Sequence, residues 1–235
     1  MSKLLIFPSK KSPPHCLGSW CHTQYTLSVV PNARLSIAFS GWTYVATALK
    51  QSQKIHHHLV GERYIAFGGG AEGGNMNPCC IDAITTAIKQ GDLAKYDGIA
   101  YCLQEGVAGL AEALEHSFET AKAYGFKVML SGISPFSFAD EAVLLPRLLV
   151  SKHIDIFSPM LYVTGLEEEN VYSVVDAIAD YRFCDAAIIP TLVNQVHMSV
   201  NQAKTSEATI EQRYQDAVHY FAKKHRTLTG FLLSQ

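Results

Sequence analysis

The chain has 235 residues, of which 48% are hydrophobic and 17% are charged, and its formal net charge is −2. This composition excludes an intrinsically disordered chain, which would be poorer in apolar residues and richer in charge. It also argues against a protein that binds the phosphate backbone of nucleic acids, because such proteins usually carry a basic excess. The low fraction of charged residues predicts that much of the chain is buried on both faces, as in a parallel sheet covered by helices.

Short apolar runs of strand length recur along the chain, and segments with helical periodicity lie between most of them. The runs predict eight strands, at residues 3–7, 34–39, 63–69, 97–103, 127–134, 154–163, 186–193 and 228–234. The intervening segments predict helices at residues 43–55, 81–91, 107–125, 139–152, 170–183 and 208–225. The first connection, residues 8–33, is rich in proline and glycine, so we expect it to be mostly loop.

Strands that alternate with helices predict a parallel α/β architecture. Eight strands of continuous apolar character favour a closed barrel over an open sheet, and the length lies near the bottom of the roughly 200 to 400 residues of that fold. We therefore expect residues 1–235 to form a single compact (β/α)8 TIM barrel, without a full final helix because the sequence stops at the eighth strand. Functional groups in such a barrel lie at the C-terminal ends of the strands.

The residues at these predicted strand ends are mostly polar, amide-bearing or aromatic, and few are charged. This chemistry is that of a sugar-binding mouth, where rings stack on sugars and amides bond to hydroxyl groups. The glycine-rich segment 68–74 lacks the lysine and Ser/Thr of a phosphate-binding loop, so we interpret it as room for close backbone packing and for a ligand. The predicted ligand contacts are Trp42, Gly69, Gly70, Tyr101, Gln104, Glu105, Met160, Tyr162, Asn194 and Gln195.

Four motifs occur in order at predicted strand ends: SIAFSGW at 36–42, IAFGGG at 65–70, YDGIAYCLQE at 96–105 and SPMLYV at 158–163. Together they resemble glycoside hydrolase family 18, the chitinases and their non-catalytic relatives. The last three motifs stand where that family has its SxGG, DGxDxDxE and MxYD signatures. The resemblance implies a (β/α)8 barrel with a carbohydrate-related site at its mouth.

The chain departs from this family at the acidic positions. In active relatives the strand-four motif ends in a glutamic acid that protonates the glycosidic oxygen, and two aspartates precede it on the same face. Ala100, Cys102 and Gln104 occupy these three positions here, and Val163 replaces the strand-six aspartate. Gln104 has no carboxyl proton to donate. We therefore expect a pseudoenzyme, a non-hydrolytic chitinase-like protein that binds a carbohydrate or another small ligand.

Three alternatives remain open from the residues alone. Glu105 lies one position beyond the acid and points to the opposite face of a regular strand, but a bulge would turn it inward for glycosidase chemistry. Cys102 would be a nucleophile if a base such as His197 activated it, although a free cysteine is more often a packed core residue. The third alternative is a structural barrel that forms homo-oligomers through an apolar wall near its first and last strands.

The sequence also predicts a compartment and a set of partners. The N-terminal apolar run Leu4–Phe7 is shorter than the core of a signal peptide, and no apolar stretch reaches the length of a membrane span. We therefore expect a cytoplasmic protein without membrane contact. The six cysteines have neither the density of a disulfide scaffold nor a CxxC pair. We expect no metal, no cofactor and no nucleic acid, and a small-molecule or oligosaccharide ligand as the partner.

Overall fold

The computed structural model describes residues 14–23, 30–70, 72–137, 140–167, 169–176, 181, 183–193 and 207–234. Its strands are β1 (Cys16–His22), β2 (Leu35–Phe39), β3 (Glu62–Gly68), β4 (Gly98–Glu105), β5 (Lys127–Ser137), β6 (Ile156–Pro159), β7 (Ala187–Ile188), β8 (Thr191–Val193) and β9 (Phe231–Ser234). Its α-helices are α1 (Val45–Ser52), α2 (Pro78–Gln90), α3 (Ala111–Ala123), α4 (Glu141–Leu149), α5 (Ser173–Asp176) and α6 (Glu207–Lys223).

The strands form one curled parallel sheet in the order β7-β6-β5-β4-β3-β2-β1-β9-β8. The two strands at the ends of this order, β7 and β8, are separated in the chain only by Ile189 and Pro190. Residues before Pro190 pair with β6, residues after it pair with β9, and a bridge joins Met160 to Thr191. The prediction of a parallel, barrel-like α/β fold is therefore confirmed.

The prediction of a loop over residues 8–33 is wrong for Cys16–His22, which pairs with β2 on one side and β9 on the other. This segment has no β-branched residue and contains Gly18, so its local strand propensity is low. Backbone pairing with strands on both sides compensates for this low strand propensity. A Cβ atom on Gly18 would lie 2.1 Å from the carbonyl oxygen of Leu35, so this close approach of β1 to β2 requires glycine. The predicted strand at 3–7 lies outside the described residues.

The helices lie close to their predicted positions. Helix α2 begins after Asn77, whose side chain accepts a hydrogen bond from the backbone N–H of Cys80, and it ends at Gly91 in the left-handed conformation. Helix α4 contains Pro146. Of the helix predicted at 170–183, Ser173–Asp176 is helical, and much of the remainder is outside the described ranges. None of the helices in those ranges is long and apolar enough to cross a lipid bilayer.

Strand alternation divides the side chains of the sheet between two cores. The larger core lies between the sheet and the helices and includes Phe67, Tyr101 and Phe118. The smaller core contains no helix residue and therefore fills the interior of the curled sheet. Its buried members are Trp20, Leu35, Ile37, Tyr64, Ala66, Ala100, Cys102, Met129, Ile156, Met160, Ile189 and Leu232. The candidate site lies at the C-terminal end of this interior.

Candidate functional site

Strand β4 directs Ala100, Cys102 and Gln104 into the interior, as the two-residue period of a strand requires. Ala100 and Cys102 are fully buried, and Gln104 is partly exposed at the C-terminal end. The Gln104 amide nitrogen donates to the Cys102 Sγ at 3.4 Å and to the Met160 Sδ at 3.5 Å. Sulfur atoms are weak acceptors, so a ligand oxygen would be a better partner for this amide.

The end of β3 and the loop after it lie against this amide because they carry glycines. A Cβ atom on Gly70 would lie 2.6 Å from the Gln104 Oε1 atom. Gly68 has a φ of +99°, and a Cβ atom there would lie 2.3 Å from the carbonyl oxygen of Cys102. Gly69 has a φ of +142°, and its Cβ position lies 3.0 Å from the ring of Phe39. The structure thus brings the predicted residues Gly69, Gly70 and Gln104 together.

The segment after β6 places two further predicted residues in the interior. Met160 is buried among the interior side chains, and Tyr162 packs against the same cluster. Burial raises the pKa of Tyr162, and a hydrogen bond to the side chain of Ser234 on β9 acts in the opposite direction. Tyr162 therefore stays neutral and contacts the far side of the mouth through its hydroxyl group.

An aromatic wall formed by Trp20, His22 and Phe39 was not predicted. The Phe39 ring centroid lies 5.6 Å from that of Trp20 and 5.0 Å from that of His22, and both pairs meet edge to face. Burial lowers the pKa of His22 to about 4, so its imidazole is neutral at pH 7. Trp20 and His22 are two positions apart on β1, which is the spacing that a predicted strand would have placed on one face.

Hydroxyl groups close the interior one layer below the mouth. The Trp20 indole nitrogen donates to the Thr191 Oγ1 at 3.0 Å, and the Thr191 and Ser158 hydroxyl oxygens are 2.8 Å apart. The Ser131 hydroxyl donates to the carbonyl oxygen of Ser158 at 2.7 Å. These groups are buried and bonded to one another, so they form a floor.

Two predicted contacts lie elsewhere. Tyr101 faces the helices: its hydroxyl oxygen is 2.7 Å from the Ser117 Oγ, and its ring packs on Phe118 with centroids 4.7 Å apart. It shares no face with Gln104, and we leave it out of the site. Trp42 packs against the helix-facing core, and a Cβ atom on Gly73 would lie 2.2 Å from its ring. Asn194, Gln195 and His197 lie outside the described residues.

Glu105 is the last residue of β4. The pairing of β4 with β5 changes register between Leu103, opposite Gly132, and Glu105, opposite Ser137. The additional residues are on β5, so β4 itself keeps its alternation. Leu103 belongs to the helix-facing core, and alternation assigns Glu105 to the same side.

The environment of the Cys102 thiol makes it a poor nucleophile. Burial raises its pKa to about 12, although the hydrogen bond from Gln104 lowers it. A thiol attacks as the thiolate, which this environment disfavours at neutral pH. Within the described part of the chain, no group of three or more His, Cys, Asp or Glu side chains is arranged to hold a metal ion.

Charged strand residues are few in the described ranges. The carboxylates of these strands are Glu62, the first residue of β3, and Glu105, the last residue of β4. Glu62 lies at the opposite end of the sheet and pairs with Lys127. A cleft of about 500 Å³ adjoins this ion pair, lined also by Asp97 and Tyr124. The cleft lies at the end of the sheet opposite Gln104 and is not part of the candidate site.

The solved structures to which the chain is similar include the following two. One is the spore cortex-lytic enzyme SleL of Bacillus megaterium QM B1551, with 10% sequence identity and a TM-score of 0.48, over 90% of this chain and 60% of that chain. The other is a chitinase from Chromobacterium violaceum ATCC 12472, with 11% identity and a TM-score of 0.38, over 76% of this chain and 59% of that one. This chain thus spans less than two thirds of either protein. No protein-family model and no curated protein sequence matches it.

Proposed function

We propose that the protein is a chitinase-like (β/α)8 barrel that binds an uncharged carbohydrate or another small ligand at its C-terminal mouth and does not hydrolyse it. In this proposal β7 and β8 are the two halves of one barrel strand interrupted at Pro190, which has no N–H for the ladder. The observation that carries the function is the inward Gln104 amide, whose nitrogen donates to two sulfur atoms and to no oxygen among the described residues.

The ligand class follows from the two sides of the mouth. One side is aromatic, with Phe39 and His22, and the other offers the Gln104 amide and the Tyr162 hydroxyl. A few polar groups among apolar and aromatic side chains are typical of small-ligand sites. A charged ligand would lose its hydration here without gaining an opposite charge, because the inward strand positions of the described mouth are uncharged. An uncharged sugar fits this arrangement.

The absence of hydrolysis follows from the inward column of β4. Glycoside hydrolysis generally uses two carboxyl groups that flank the scissile bond. Ala100, Cys102 and Gln104 supply none. The alternative nucleophile Cys102 is held as a thiol, and alternation assigns Glu105 to the helix-facing side. We therefore expect binding without turnover.

Calorimetric titration with N-acetylglucosamine oligomers and other neutral oligosaccharides tests the proposal. We expect the wild-type protein to bind, and Gln104→Ala to bind about 3- to 10-fold more weakly, as the loss of one hydrogen bond predicts. Gln90→Ala, on the exposed end of α2, is the matched control and should bind like the wild type. The absence of heat with every oligosaccharide would remove the sugar version of the proposal.

Two further measurements separate the alternatives. Turnover of fluorogenic glycosides that disappears in Glu105→Gln would establish the glycosidase alternative and overturn ours. The homo-oligomer remains a prediction, and light scattering of concentrated protein checks it; a monomer at high concentration contradicts it.

A further inference from the structure

The loop that follows Tyr162 is organised around the carboxylate of Glu167. This carboxylate accepts hydrogen bonds from the backbone N–H groups of Val163 at 3.1 Å, Thr164 at 2.6 Å and Gly165 at 2.9 Å. It also accepts a bond from the Thr164 hydroxyl at 2.9 Å. The three residues directly after Tyr162 are thus gathered on one side chain. Hydrogen bonds to an ionised acceptor are stronger than those between neutral groups.

A second tie fixes the far end of this loop to α6. Arg213 is only 4% exposed, and its guanidinium donates to the carbonyl oxygens of Glu167 and Glu169, both at 3.3 Å. It also donates to the Asn170 Oδ1 at 3.1 Å, and the Asn170 amide nitrogen donates back to the carbonyl oxygen of Arg213 at 2.7 Å. A buried arginine bonded to three loop oxygens holds the loop against a long helix.

The carboxylate also lies close enough to Tyr162 to affect it. Burial raises the pKa of Tyr162, and the negative charge of Glu167 acts in the same direction. Tyr162 is thus held from two sides, by its hydrogen bond to Ser234 and by the backbone that Glu167 gathers. The strands themselves do not use the bonds to Glu167, so weakening these bonds would loosen the loop while the sheet stays paired.

We propose that Glu167 is a positioning residue for the mouth: through the loop 163–167, which Arg213 anchors, it holds Tyr162 against the interior, although Glu167 itself does not touch the ligand. The part of this inference that concerns ligand affinity rests on the proposed function. The part that concerns the position of Tyr162 does not.

Glu167→Gln tests the proposal, because it keeps the shape of the side chain and removes the charge. Glu169→Gln is the matched control, since it removes the same charge from an exposed position two residues further along the chain. Hydrogen exchange of the amides of residues 163–165 and the ¹⁹F signal of 3-fluorotyrosine placed at position 162 report the loop without any ligand. Titration with a tetramer of N-acetylglucosamine reports the mouth.

In Glu167→Gln we expect exchange of these amides to accelerate about tenfold, the ¹⁹F signal to shift, and the Kd for the tetramer to rise about tenfold. In Glu169→Gln we expect the exchange rates and the Kd to stay within about twofold of the wild type. If Glu167→Gln does not fold, Thr164→Ala removes one of the donors and should change all three readouts in the same direction, by less. Unchanged exchange, an unchanged ¹⁹F signal, or faster exchange with an unchanged Kd would each overturn the proposal. If the wild type binds no oligosaccharide, the proposed function fails, and exchange and the ¹⁹F signal still decide whether Glu167 positions Tyr162.

Discussion

Replacing Gln104 by glutamate places a carboxyl group on the inward face of β4 and tests how well water solvates the mouth. Two of the groups next to this side chain are the sulfur atoms of Cys102 and Met160, and these residues are 0% and 4% exposed. Both sulfur atoms accept hydrogen bonds from the Gln104 amide, but neither Met160 nor a weakly donating thiol offers a carboxylate a good partner. The charged form of the variant side chain is therefore poorly solvated.

The size of the effect follows from burial without a partner. A buried polar group left unsatisfied costs about 1–3 kcal/mol, and more when it is charged. Because Gln104 is partly exposed, we expect a loss of about 2 kcal/mol in the free energy of unfolding at pH 8. The pKa of the new carboxyl is expected to lie above its value of about 4.3 in the unfolded chain. The folded state then holds the proton more tightly, so stability falls as pH rises through the folded-state pKa and is recovered below the unfolded value.

Urea unfolding at pH 5 and pH 8 measures this difference. We expect Gln104→Glu to lose at least about 1 kcal/mol more at pH 8 than at pH 5, and Gln90→Glu on the exposed end of α2 to change little at either pH. Equal losses for Gln104→Glu at both pH values would refute the reasoning, because they would mean that water solvates this position. The variant should also gain no glycosidase activity, since Ala100 and Cys102 supply no second carboxyl group.

Two further predictions concern packing and reactivity. Gly98→Ala places a Cβ atom 2.2 Å from the ring of Tyr64, so we expect it to lower the free energy of unfolding by about 3 kcal/mol or more. In Gly109→Ala the Cβ atom meets no atom within 4 Å, and we expect a loss of about 1 kcal/mol because φ is +79°. Equal losses for the two variants in urea unfolding would contradict this prediction. Cys102 should react with iodoacetamide at pH 8 at least about 100-fold more slowly than the exposed Cys79, because its pKa is raised to about 12. Peptide mapping by mass spectrometry gives both rates, and similar rates would revive the nucleophile alternative.

Local sequence pattern was sufficient for most of the architecture. The apolar runs at 63–69 and 97–103 became β3 and β4 because their side chains are buried on both faces of the sheet, which leaves no polar interruption in the sequence. The segment CLGSWCH gave no such pattern. Its strand exists because β2 and β9 offer hydrogen bonds on both sides, and no property of seven consecutive residues encodes those partners.

The site was predictable only where strand alternation applied. Alternation places Gln104 with Ala100 in the interior. The same rule places Tyr101 on the helix-facing side, although Tyr101 was among the predicted ligand contacts. Trp20 and His22 were missed because their strand was missed. The role of Glu167 was hidden for another reason: it lies in a run of acidic residues at 167–169, and only the folded loop decides which carboxylate turns back to the backbone.

The pairing of β1 with β9 has a consequence for the order of folding. Strands β1 to β6 each pair with the next strand along the chain, whereas Cys16 aligns with Phe231 near the other end. Closing so long a loop costs chain entropy, and only the contacts of the completed sheet offset this cost. We therefore expect β9 to join the sheet last. Until then water reaches the Gln104 amide and the hydroxyl floor alike. The mouth is therefore completed in the last step of folding, and a chain that stalls before this step would hold most of the sheet without a dry interior.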